Sequence, residues 1–187
     1  MKKTTKKSGT WTTIRQQVSS WDKSDLIALI KDLFEADSGN RDFILARCKA
    51  GEDTTEVLER YRGKIVEQFY PARGFGKLKL GEARKAIRDY RKATGSLPGT
   101  VELMMTFVEN GVKFTHDFGD IDERFYNSVE SMLDELAALF RGAAKAIYPQ
   151  FQGRLARLEK LTDGIGWGFH DFIGEVVGEL EEDLSRR

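Results

Sequence analysis

The chain has 187 residues, room for one ordinary domain, and 40% of them are hydrophobic, which supplies a core and excludes a disordered chain. Thirty Lys and Arg balance thirty Asp and Glu, so a globally basic nucleic-acid binder and an acidic tail protein are both disfavoured. A single cysteine, Cys48, excludes an internal disulfide and a cysteine-rich zinc module. Mean hydropathy is −0.46. No apolar run reaches the ~20 residues of a membrane span, and the opening MKKTTKKSGTWTT lacks the apolar stretch of a secretory signal. The expectation is a protein of a reducing, cytoplasmic compartment with no membrane partner.

Residues 1–18 carry Lys2, Lys3, Lys6 and Lys7 among Thr and Ser and read as a flexible basic arm, leaving 19–187 as a single helical domain. A helix is predicted from Asp22, which can cap Asp25 while Trp21 and Leu26 form a hydrophobic staple; Leu26, Ile27, Ile30, Leu33 and Phe34 repeat at helical spacing. A second covers 40–49, with Cys48 expected as a small buried residue. A third starts at Asp53, closes a capping box with Glu56 and stops before Pro71. After the turn PARGFGK comes a helix over 80–93, ended by Gly95. The segment 99–118 stops at Gly119. Asp120 is expected to cap the next helix, with Glu123 closing its box. Pro149 reads as the first residue of another helix, and DGIGWGF leads into the last, where Gly174 and Gly178 suit close packing within the chain. No segment alternates with period two. The predicted class is therefore all-α, about eight helices in a compact irregular bundle, with a short superhelical stack of helix pairs as the alternative.

The neutral total hides an uneven distribution. From Arg60 to Lys92 there are 11 basic and 3 acidic residues, a charge of +8; from Thr94 to Leu139 the charge is −7. Arg84, Lys85, Arg88, Arg91 and Lys92 lie opposite the apolar stripe of their helix and are the candidate anion-binding residues. The competing reading is a solvated face neutralised by the acidic segment that follows, which leaves at most weak nucleic-acid binding. Gly74-Phe75-Gly76-Lys77 lacks the spacing of a phosphate-binding loop.

The second cluster is His116, Asp117, Asp120, Asp122 and Glu123. An imidazole and several carboxylates this close are candidates for acid–base or metal-assisted chemistry, although the run fits neither a calcium loop nor an H-E-x-x-H helix. Helix capping accounts for the same residues. His170 and Asp171 are neighbours on a helix and point ~100° apart, so they make no dyad. No cofactor motif and no dedicated metal site is expected.

The run V-E-N-G-V-K-F-T-H-D-F-G-D-I-D-E-R-F-Y-N-S at 108–128 resembles the signature of an uncharacterised bacterial family, a domain of unknown function. Lys64-Ile65 with Phe69-Tyr70-Pro71, A-R-K-A-I-R-D-Y-R-K-A-T at 83–94, D-L-I-A-L-I-K-D-L-F at 25–34 and N-R-D-F at 40–43 resemble it too, so the likeness spans most of 22–140. It implies a bacterial cytoplasmic domain and brings no activity. The function expected from the residues is a non-enzymatic helical binding module, with a protein as the possible partner; the alternative is a metal-assisted enzyme built on 116–123.

Overall fold

The computed structural model describes residues 9–49, 55–166 and 168–185, and every regular element among them is helical. The α-helices are α1 (Trp11–Val18), α2 (Lys23–Ala36), α3 (Ser38–Cys48), α4 (Thr55–Phe69), α5 (Leu80–Thr94), α6 (Leu97–Phe118), α7 (Glu123–Arg141), α8 (Gln152–Leu161) and α9 (Phe169–Ser185), with a 3₁₀ helix over Lys145–Gln150. The all-α class is thus observed. Residues 11–18, read from the sequence as part of an arm, are helical, while residues 1–8 lie outside the described residues. The chain's contacts divide it into Met1–Leu45 and Ala46–Arg187 rather than at residue 18.

In the first unit the Asp22 side chain accepts from the Asp25 N–H at 2.9 Å, as its cap position predicts. The apolar stripe of α2 is a different matter. Ile27, Ile30 and Leu33 are each 45% exposed or more, and neither α1 nor α2 has a buried residue.

The second unit is built around α6. This helix is apolar on nearly every side, and Val101, Leu103, Met105, Phe107, Val108, Val112 and Phe114 have no exposed surface. Helices α4, α5, α7 and α8 all pack on it, and α9 closes over α7 and α8. Contacts between elements so far apart in sequence make a bundle, because a solenoid packs only its neighbours. Two glycines of α6 permit the approach. A Cβ on Gly111 would stand 2.6 Å from Val129 Cγ2 of α7, and one on Gly99 would stand 2.0 Å from the Tyr90 hydroxyl of α5. The glycines singled out from the sequence behave otherwise: Gly178 faces open space and Gly174 meets only Glu159 at 3.6 Å.

Other boundaries differ from expectation for identifiable reasons. Pro149 lies inside the 3₁₀ helix, and α8 starts at Gln152. The tighter turn lets Tyr148 and Phe151 both pack on Phe140, at 5.3 and 5.4 Å between ring centroids. Helix α6 starts two residues early because Ser96 caps the Gly99 N–H at 3.2 Å. The predicted start of α4 at Asp53 falls outside the described residues. Cys48 is exposed, not buried: Ala46 takes the inward position, and two residues further on the helix has turned by ~200°.

Polar side chains also join the elements of this unit. Arg154 of α8 holds Glu109 with two bonds of 2.7 Å and Glu102 with one of 2.6 Å, while Arg62 of α4 reaches the other oxygen of Glu102 at 2.9 Å. The two carboxylates raise the Arg154 guanidinium above its ordinary pKa.

Candidate functional site

The two predicted clusters fare differently. The residues at 116–123 are neighbours in the chain but do not converge. Asp117 accepts from the Tyr70 hydroxyl at 2.9 Å and pairs with Lys113 at 3.4 Å; His116, about half exposed, has its Nδ1 3.3 Å from the other Asp117 oxygen. Asp120 accepts from the Tyr126 hydroxyl at 3.3 Å. Asp122, not Asp120, is the cap of α7 and accepts from the Phe125 N–H at 2.8 Å. Glu123 is then the first residue of the helix, too early to close a capping box. Gly119, at φ +83°, ends α6, and the new helix starts two residues later than the pattern indicates because the Tyr126 hydroxyl engages Asp120. Among the described residues no three His, Cys, Asp or Glu side chains are grouped as a metal site requires. His170 bonds Thr162 at 3.0 Å and ties the start of α9 to the end of α8.

These assignments carry two tests. Asp122→Ala is expected to cost about 0.5–2 kcal/mol of stability and Asp120→Ala clearly less, measured by urea unfolding. The second concerns Tyr70 and Asp117. The Tyr70 hydroxyl, then His116, hold the Asp117 carboxyl below the usual carboxylate range, while burial and Asp117 push Tyr70 up. A depressed carboxyl contributes stability above its unfolded pKa and loses it as pH falls through the folded value. The raised phenol is lost only on the alkaline side. The melting temperature of Tyr70→Phe should therefore lie below that of the parent from pH 5 to 9, with the gap closing in acid. A gap independent of pH down to 2 would show that the hydrogen bond is not its source.

The basic helix borders a groove through three of its five candidate residues, Arg84, Arg88 and Arg91. Helices α5 and α7 pack on α6 side by side and leave between them a groove of about 380 Å³. Its floor is Thr100 and Met104 of α6 with Ile87 and Met132; Ala138 and Leu139 form the α7 rim, and Arg84, Arg88 and Arg91 form the α5 rim. The arginines stand there because α5 turns Ala83, Ala86, Ile87, Tyr90 and Ala93 into the core, which leaves positions i, i+4 and i+7 of the next face at its edge. Gly95, at φ +68°, stops the helix just beyond them.

The expected neutralisation by the acidic segment is partial. Arg84 is engaged: it donates to the Ser128 carbonyl at 3.0 Å and pairs with Glu135 of α7. Lys85 pairs with Asp89 of its own helix at 2.7 Å, and the Lys92 carbonyl accepts from Arg47. Arg88 and Arg91 are exposed and have no ion-pair partner among the described residues. Glu135 is the one carboxylate among the groove-lining residues. The arrangement is suited to holding anions beside a small apolar floor. Comparison of the chain with protein-family models, curated proteins and solved structures gives no match, and among the described residues no helix is long and apolar enough to cross a membrane.

Proposed function

We propose that the chain is a non-enzymatic binding module, and that the face of α5 bordering the groove is its working surface for an anionic protein partner. One observation carries the reading. Arg88 and Arg91 stand one turn apart at the rim of a groove with no acidic partner among the described residues, although the −7 segment lies immediately downstream. Unpaired guanidiniums in a row are the ordinary means of gripping carboxylates, which they bind bidentately. The resemblance over 22–140 belongs to the same proposal: membership of a bacterial family of unknown function, working in the cytoplasm.

Fluorescence anisotropy of a labelled poly-glutamate peptide titrated with the full chain tests it. Binding that weakens with salt, and falls at least about tenfold in Arg88→Glu with Arg91→Glu, is expected. Equal binding by parent and variant would refute the assignment. A single-stranded oligonucleotide bound more tightly than the peptide would move the surface to nucleic acid and overturn it as well.

A further inference from the structure

We infer that the partner presents its carboxylates from a helix laid along α5, and that Glu135 is an internal stand-in for one of them. This rests on the reading of the groove given above. The first support is spacing. Arg84, Arg88 and Arg91 succeed one another by about 6 and 4.5 Å along the axis of α5, close to the 5.4 Å pitch of an α-helix. Acidic residues at i, i+4 and i+7 of a second helix therefore meet the row in register, and apolar residues between them fall on the floor. That floor includes Met104 and Met132, whose flexible thioethers adapt to different side chains.

The second support is α7 itself, a helix already beside α5 with one carboxylate on this row. Glu135 reaches Arg84 from the wet edge: its side chain is 55% exposed against 20% for Arg84. Glu135 is not the sole partner of Arg84, since another nitrogen of the guanidinium donates to the Ser128 carbonyl of α7 at 3.0 Å. An acid arriving from a partner can thus take the place of Glu135 while Arg84 stays where it is. A half-exposed ion pair holds weakly enough to be exchanged. Glu135 then sets the affinity of the site, because any ligand spanning all three arginines must displace it.

The test uses a labelled amphipathic peptide with Glu at i, i+4 and i+7 beside a leucine stripe, and a scrambled peptide of the same composition. Glu135→Gln is expected to bind the helical peptide roughly three- to tenfold more tightly than the parent, with an unchanged melting temperature. Asp163→Asn, an equal change of charge at an exposed residue outside the groove lining, should bind as the parent does. Arg88→Glu with Arg91→Glu in the Glu135→Gln background should abolish binding. If Glu135→Gln binds no more tightly than the parent, or no more tightly than Asp163→Asn, the stand-in role is wrong while the anion site stands. If the scrambled peptide binds equally well, the helical partner is wrong. If neither parent nor variant binds either peptide, the binding reading fails and this inference falls with it.

Discussion

Replacing Phe69 by alanine is expected to destabilise the second unit by about 3–5 kcal/mol. Phe69 closes α4 with its ring 1% exposed, and its centroid lies 5.5 Å from Phe107, 6.3 Å from Phe114 and 6.5 Å from Phe125. One side chain therefore joins α4, α6 and α7. The surrounding rings are themselves fixed by their neighbours, so the cavity cannot collapse and its cost adds to the lost burial. Phe75→Ala provides the control: that ring is 60% exposed and should cost a small fraction as much. Urea unfolding followed by circular dichroism compares the two. A loss at Phe69 no larger than at Phe75 would mean that the three helices do not share this core.

Arg154→Met is the second large effect, about 1–3 kcal/mol. The figure is held below that of a fully buried pair because the Arg154 side chain keeps 26% of its exposure and Glu109 keeps 34%. Removing the guanidinium leaves the two carboxylates unequal: Glu102 still has Arg62, and Glu109 loses both of its bonds. Adding Glu109→Gln to Arg154→Met should therefore restore part of the loss. A double-mutant cycle measures this coupling, and strictly additive losses would show that the pair is a surface contact of no consequence.

The helices were legible because apolar spacing dominates the sequence. The apolar stripe of α5 is buried from Ala83 to Ala93, as are the helically spaced Phe125, Val129, Met132 and Phe140 of α7. The cap of α7 was legible only to within two residues. Asp120-Ile121-Asp122-Glu123 offers two aspartates, and the Tyr126 hydroxyl, which engages Asp120 at 3.3 Å and the Ile121 N–H at 3.4 Å, decides between them without leaving a local signal. The α2 stripe showed its amphipathic pattern but not its exposure, since periodicity marks a face and not what covers it.

The Arg62–Glu102–Arg154–Glu109 network escaped the reading because its partners lie 40–52 residues apart. A trace was present. Glu102 and Glu109 stand two turns apart on one side of a largely apolar helix, and partly buried carboxylates call for a cation from another element. The groove was half legible. The row of arginines follows from i, i+4, i+7 spacing, but which of them stays unpaired depends on Glu135, 51 residues beyond Arg84.

Methionine-methyl NMR of the full chain, titrated with the acidic amphipathic peptide, tests the binding surface most directly. Met104 and Met132 line the floor of the groove at 4% and 2% exposure, whereas Met105, next to the first of them in sequence, is fully buried and not part of the lining. The Met104 and Met132 methyls are expected to shift progressively to saturation while Met105 stays in place, and Arg88→Glu with Arg91→Glu should remove the shifts. Saturable binding of the peptide with the Met104 and Met132 methyls unmoved would place the partner elsewhere and contradict the proposed surface.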